Sequence, residues 1–259
     1  ERVTTSAIVP TMLNRLVALG PEAIRAHRTR SLRAIICGGA QLLGQLAVEA
    51  MDVLGDVVYN FYGATELGIV TLASPADLRA APGTIGQIVP GNDVLLLDDR
   101  KNPVKDGDVG ELYVKNAMLV AGYHGNPDAM RDSMHSGYFS VGDLARRDCD
   151  GRYFIEGRKR DMVITGGVNV YPAEVENAIE DHPQVLEAAV IGVPDPEWGE
   201  RVKAFVVAKP GERIDGEELK QFLRERIASP KIPREYAFID ALPRNPTGKV
   251  LKNDLRARA

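Results

Sequence analysis

The sequence predicts an α/β layer, then short antiparallel β structure, then a small α+β region, and three observations carry that reading. Leu32–Cys37 is a brief apolar run closed by Gly38-Gly39-Ala40, Gln41–Leu54 returns to helical spacing, and Val57–Tyr62 is a second strand-like run. From about Ala73 the texture shifts to short alternating runs separated by turn residues. Beyond Arg158 helical and strand patterns mix.

Element by element, Thr5–Leu19 is apolar with helical spacing and is expected to be a helix. The strand–helix–strand order that follows implies a parallel sheet, and two strands alone would leave its edges uncovered, so further sheet is expected before residue 1. Glu1 opens as if in mid-domain, without an initiator Met, and the chain is expected to be a piece of a longer protein. Asp93–Leu97 and Gly110–Val114, with turns at Asp106-Gly107-Asp108 and Asp150-Gly151, are expected to form a small antiparallel barrel or sheet. The charged tetrad Arg158–Asp161, between a strand at Tyr153–Ile155 and the apolar Met162–Ile164, marks a domain boundary, giving 1–157 (α/β to about residue 72, β from about 73) and 158–259. In the second part Pro172 starts a helix with Val175, Ala178 and Ile179 on one face. Val185–Val193 and Val202–Ala208 follow as strands, and Asp215 with Glu218 forms a capping box for a helix bearing Leu219, Phe222, Leu223 and Ile227.

Composition narrows the function classes. At 259 residues and 44% hydrophobic content the chain can bury a sizeable core. No stretch approaches the ~20 apolar residues of a membrane helix, and the N-terminus lacks a signal-peptide pattern, so a cytoplasmic location is expected. A net charge of −4 gives no reason to expect nucleic acid as a partner. Cys37 and Cys149, far apart and without Cys or His at ligand spacing, imply neither zinc nor a disulfide framework and are expected to be structural thiols.

The chemistry-bearing residues fall in a fixed order. Tyr62-Gly63-Ala64-Thr65-Glu66 follows a strand directly, which places it at the carboxyl end of a parallel sheet, where α/β folds bind ligands. It offers an aromatic face, a hydroxyl donor and a hard carboxylate oxygen, or it is a turn with a Thr-Glu helix start. Gly39 and Ala40 leave room beside the earlier strand, although Gly-Gly after a strand is also an ordinary turn. Asp143, in Gly142-Asp143, offers two acceptor oxygens that suit a pair of ribose hydroxyls, or ends a turn. Arg158 stands in the charged tetrad, which also reads as a solvated linker. Gly166-Gly167 is either a narrow passage or a hairpin turn. Trp198, the one tryptophan, sits in a loop between predicted strands, where an exposed indole would invite a stacking partner. Lys231 and Arg234 are either phosphate contacts or a solvated basic face. Asn245-Pro246-Thr247-Gly248-Lys249 puts one lysine on a turn whose Pro and Gly fix the backbone, so that the lysine can be aimed.

As an ordered set spanning the whole chain, these motifs resemble the adenylate-forming superfamily of acyl-CoA synthetases, luciferases and peptide-synthetase adenylation domains, and among them most closely a fatty acid–CoA ligase. The resemblance implies the remnant of a large N-terminal domain, comprising a parallel α/β layer and a small antiparallel β-barrel, followed by a mobile α+β lid. It implies a two-step reaction in which a carboxylic acid and ATP, with Mg²⁺, give acyl-AMP and pyrophosphate, and CoA then displaces AMP. In its terms Tyr62 packs on adenine beside Gly63, Thr65 bonds the α-phosphate, Glu66 binds the metal, Gly39 and Ala40 line the adenine and acyl pocket, and Asp143 and Arg158 hold the nucleotide. Lys249 serves the first step, while Gly166, Gly167 and Trp198 serve CoA in the second. Two positions depart from the pattern: Gln41 stands where a Pro is usual, and Arg160 stands at the hinge pivot where Asp or Lys is common. Loading of an acyl carrier protein, or a non-catalytic nucleotide- or partner-binding role, is the alternative, and without a Gly- and Ser/Thr-rich phosphate loop the chain alone is expected to make no adenylate.

Overall fold

The computed structural model describes residues 2–27, 31–124, 127–245 and 248–259. They form two compact units, one running to Ile155 and the other beginning at Glu156.

The first unit opens with a strand, β1 (Thr5–Ile8), and then a helix, α1 (Pro10–Val17), where the spacing predicts one helix over Thr5–Leu19. Pro10 is the cause. Its ring disfavours the α conformation at Val9, which is extended, and it stands at the first helical position, so the β-branched residues before it are released to a sheet. A short helix α2 (Gly20–Arg25) leads on to β2 (Ala34–Cys37), α3 (Gly44–Leu54), β3 (Val58–Ala64) and β4 (Gly68–Ala73). Helix α4 (Pro75–Ala80) is capped by a reciprocal Ser74–Asp77 box and precedes β5 (Gln87–Ile88). The sheet runs β1-β2-β3-β4-β5, parallel across the first three strands and antiparallel thereafter. Thus β1, in a segment whose spacing predicts a helix, covers one edge of β2. Leu13, Leu46, Ala47, Ala50, Met51 and Leu78 bring the helices onto Cys37 and Val58 of the sheet. Burial pushes the Cys37 thiol up to about 12, which makes it inert, whereas Cys149, expected to be structural as well, is exposed.

Next come β6 (Asn92–Leu97), β7 (Gly110–Asn116), α5 (Pro127–Asp132), β8 (Met134–His135), β9 (Tyr138–Phe139), β10 (Asp143–Arg147) and β11 (Tyr153–Arg158). They make an antiparallel sheet centred on β7, which pairs with β6 along its length and with β10 and β9 at its two ends. Of the barrel or sheet expected, it is an open sheet. Two-residue strands such as β8 and β9 cannot sustain the continuous tilt and stagger that closure requires.

The second unit contains, near its start, a 3₁₀ turn at Lys159–Asp161. Strands β12 (Val163–Thr165) and β13 (Val168–Val170) form a hairpin, then come α6 (Pro172–Glu180), β14 (Val185–Asp195), β15 (Gly199–Ala208), α7 (Gly216–Arg224), β16 (Glu235–Phe238) and α8 (Lys252–Arg256). The sheet order is β13-β12-β15-β14, with β16 parallel to β15. Strand β14 alternates Ala188 and Val190 toward α6 and α7 with Ala189, Ile191 and Val193 toward Leu242 and Leu255, so both faces are covered and the sequence reads as one apolar run. The cap of α7 is half of the expected box. Asp215 accepts the Glu218 N–H at 2.9 Å, but the Glu218 carboxylate lies 4.0 Å from His182 Nε2. No described helix is long and apolar enough to cross a membrane.

Candidate functional site

In the first unit the candidate residues gather where β1, β2 and β3 end. The Tyr62–Glu66 segment closes β3 and turns into β4 as a hairpin, and a register shift falls between Tyr62 and Gly63. A Cβ at Gly63 would stand 2.1 Å from the Gly68 carbonyl oxygen, so this crossing of backbones admits only glycine. Leu67, fully buried, anchors the turn, and Asn116 Nδ2 donates to its carbonyl at 2.8 Å. Thr65 is left exposed at the tip.

Tyr62 OH donates to Asp143 Oδ2 at 2.7 Å, although 81 residues separate them in sequence. Asp143, 8% exposed, opens β10 just after Gly142, whose N–H donates to Ser140 Oγ at 3.0 Å. Two candidate residues far apart in sequence are therefore in direct contact. Glu66 Oε1 accepts from Tyr123 OH at 2.6 Å, and the Glu66 carbonyl takes the Val120 N–H at 3.0 Å. That bond to a carboxylate pushes the Tyr123 phenol up to about 12. Tyr123 and Asn116 were not legible as site residues, since their partners lie 57 and 49 positions away; the Gly122-Tyr123 pair in a loop was the available hint.

The glycines after β2 differ from each other. The space a side chain would take at Gly38 is filled by the ring of the chain's own Phe61, 2.3 Å from an ideal Cβ. Gly39, at φ +82°, has among the described residues only Val9 within 4 Å of an ideal Cβ, at 3.7 Å, and Ala40 beside it is half-buried.

In the second unit Gly166 and Gly167 are the two central residues of the β12–β13 hairpin, at φ +56° and +79°. Both φ values are positive, the requirement of a two-residue type I′ loop, so the turn itself calls for glycine. The Gly166 N–H donates to the Trp198 carbonyl at 2.9 Å, and a Cβ at Gly166 would meet the indole ring at 2.5 Å. Trp198 is half-buried, a correction to the exposed position expected: Asp195 Oδ1 holds its N–H at 3.0 Å, the Arg234 guanidinium lies 4.3 Å from the ring centroid, and its Nε1 is buried without a hydrogen-bond partner. Of the basic pair, Lys231 bonds both oxygens of Glu174 at 2.7 Å, while Arg234 is exposed and lies over the indole. Arg158 ends β11 half-buried, and its carbonyl takes the Met162 N–H at 3.1 Å; Arg160 is exposed.

Lys249 is exposed on a turn whose backbone is tied on several sides. Asn245 Oδ1 accepts the Lys249 N–H at 2.8 Å, the Asn245 N–H donates to the Lys249 carbonyl at 3.0 Å, and the Gly248 N–H donates to the Asn245 carbonyl at 2.9 Å. Arg244 Nη1 reaches the Gly248 carbonyl at 2.6 Å. Gly248 has φ +87°; Pro246 and Thr247 of the expected motif lie outside the described residues.

Among the described residues no cluster of three or more His, Cys, Asp or Glu could hold a metal ion by itself. A single carboxylate, Glu66, is nonetheless what Mg²⁺ requires where substrate phosphates and water complete its shell, so the donor set fits that ion.

A mixed sheet whose parallel strands end beside Tyr62, Glu66 and Asp143, followed by an α+β unit bearing an anchored lysine turn, sets the features to compare with known proteins. The chain belongs to the AMP-binding enzyme family: the family profile matches residues 1–124, and that of the AMP-binding enzyme C-terminal domain matches residues 174–249. It is 41% identical over 260 aligned residues to a feruloyl-CoA synthase of an Amycolatopsis species, covering 100% of this chain and 52% of the relative. It is 37% identical to the fatty acid–[acyl-carrier-protein] ligase ScoC of Streptomyces coeruleorubidus, covering 99% of this chain and 50% of the relative. Its fold superposes on the amide bond synthetase McbA of Marinactinospora thermotolerans with a TM-score of 0.94 at 31% identity, covering 99% of this chain and 53% of that one. The chain thus spans about half the length of the relatives it matches.

Proposed function

We propose that the protein containing this chain is an acid–thiol ligase that activates a carboxylic acid with ATP to acyl-AMP and pyrophosphate and then transfers the acyl group to CoA. The observation that carries this reading is the Tyr62–Asp143 hydrogen bond, which presents an aromatic face and a ribose acceptor as one preassembled unit at the carboxyl end of the parallel strands. Thr65, exposed beside them, donates to the α-phosphate. Glu66 would hold Mg²⁺, which when bound offsets charge on the phosphates. Arg158 contacts the nucleotide, and Gly39 and Ala40 border the adenine and acyl pocket.

Lys249 supplies the cation of the first step, where negative charge spreads between the attacking carboxylate and the α-phosphate. A preorganised contact of that kind is commonly worth ~3 kcal/mol, about two orders of magnitude in rate. The Gly166–Gly167 hairpin serves the thiol step: Gly167, with no atom of the described residues within 4 Å of an ideal Cβ, leaves a pantetheine chain room to pass. Trp198 supports that hairpin from its other residue. The acid we propose is a medium- or long-chain fatty acid, in the cytoplasm; the identity to a feruloyl-CoA synthase favours ferulate as the second candidate.

Mass spectrometry of the products formed by the full-length enzyme from Mg-ATP, CoA and a panel of fatty and aryl acids tests the reading. Acyl-CoA is the expected product. Acyl-AMP without thioester would transfer the reading to a carrier-protein ligase, and no product from any acid would overturn it.

A further inference from the structure

Three carboxylates of the second unit, Glu176 and Glu180 one turn apart on α6 and Glu187 on β14, face two cations from the C-terminal segment, Arg244 and Lys252. Lys252 Nζ bonds Glu176 Oε1 at 2.7 Å and the Val190 carbonyl at 3.1 Å, so it fixes the start of α8 to β14. Arg244 differs in kind. One of its terminal nitrogens pairs with the Glu187 carboxylate, and the other reaches 2.6 Å to the carbonyl of Gly248, the residue immediately before Lys249. The guanidinium, a rigid planar fork, therefore spans from a β14 side chain to the backbone of the lysine turn. The turn's own bonds, from Asn245 to Gly248 and Lys249, set its shape but do not fix it to the sheet. The pairing of Arg244 with Val250 continues the same tether on the far side of the turn.

We propose that Arg244, braced by Glu187, is a positioning residue for Lys249, setting the direction in which the lysine leaves the domain through its bond to the Gly248 carbonyl. This rests on the first-step role of Lys249 proposed above. A displacement of about 1 Å at a reacting group costs up to ~100-fold in rate, so loss of the tether is expected to reach the chemistry although Arg244 touches no reacting atom.

The test uses the full-length enzyme and separates its half-reactions: pyrophosphate release from ATP and acid, and thioester formation from supplied acyl-adenylate and CoA. Arg244→Ala is expected to lower kcat of adenylation about tenfold, with KM for ATP within about twofold and the thioester step unchanged. Adding it to Lys249→Ala should cost nothing further, because it acts through that lysine. Glu187→Gln, which keeps the shape and the Arg244–Gly248 bond, should lower the same half-reaction by less. Amide hydrogen exchange over residues 243–251 should quicken in Arg244→Ala while β14 and β15 hold, a readout independent of turnover. Equal loss in both half-reactions, or wild-type adenylation by Arg244→Ala where Lys249→Ala is dead, would overturn the inference. Normal adenylation by Lys249→Ala would instead overturn the reading on which it stands.

Discussion

The hairpin at Tyr62–Glu66 and the turn at Asn245–Lys249 are held by opposite means. The first is enclosed at its base: Leu67 is fully buried, Gly63 is pressed against the Gly68 backbone, and two of its polar side chains are bonded to others of the same unit, Tyr62 to Asp143 and Glu66 to Tyr123, while Thr65 at the tip is exposed. The second stands on the surface, and charge ties it down, through Arg244 and its pair with Glu187. A binding surface gains from packing, which fixes several groups at once. A single cation needs only direction, and polar tethers supply that without burying it. The comparison implies that stability and rate can be damaged separately in the two regions.

The largest effect should fall on rate in the second region. Lys249→Ala in the full-length enzyme is expected to lower adenylation by at least about two orders of magnitude, or ~3 kcal/mol. CoA attack on supplied acyl-adenylate should persist, and the thermal midpoint should not move, because the side chain is exposed. Equal loss of both half-reactions would break the distinction. Gly63→Ala is the converse. A methyl 2.1 Å from the Gly68 carbonyl must push two strands apart, so a stability loss of ~2–3 kcal/mol is expected in chemical denaturation, with activity failing only as the fold does.

This asymmetry also explains what the sequence made legible. Periodicity located β2, α3, β3, β7, α6, β14 and β15, because each places enough apolar residues on a buried face to leave a pattern. Thr5–Ile8 was not legible, since four residues are too few to separate a strand from the helix that Pro10 begins. The candidate residues were legible as motifs, but not their partners. Nothing in local sequence tells that Tyr62 reaches Asp143 or that Gly166 gives way to the indole of Trp198, because those contacts are made by topology across 81 and 32 positions. The exposure of Trp198 was misjudged for the same reason: a loop between strands is exposed unless another element covers it, and here Arg234 does.

A smaller effect should appear as a pH dependence in the second region. Glu180 Oε1 accepts the Ala188 N–H at 2.9 Å, but its Oε2 is buried without a hydrogen-bond partner among the described residues, and burial pushes its carboxyl from an ordinary value near 4.5 up to about 8. Between those values the folded chain holds a proton that the unfolded chain has released, so stability is full below pH 4.5 and declines as pH rises through about 8. Glu180→Gln keeps the acceptor for Ala188 and carries no charge. It should match the native protein at pH 5 and exceed it by roughly 2 kcal/mol at pH 9. Denaturant titrations at the two pH values decide it, and an equal gain at both would assign the effect to packing instead of the proton.

The smallest effect returns to the enclosed hairpin and asks whether its internal bonds matter beyond stability. Tyr123 OH donates to Glu66 Oε1, the carboxylate proposed for Mg²⁺. If the phenol competed with the ion for that oxygen, its removal would ease metal binding. The opposite is expected, because the Oε1 bond fixes the carboxylate rotamer while Oε2 keeps its own lone pairs, and an orienting partner strengthens a ligand it does not displace. Tyr123→Phe should therefore raise the Mg²⁺ concentration for half-maximal adenylation about threefold, the equivalent of one modest hydrogen bond at a part-exposed site. A titration of Mg²⁺ at saturating ATP reads it directly. A fall in the Mg²⁺ requirement would make Tyr123 a competitor, and the enclosed hairpin would then be the region that must loosen before the reaction begins.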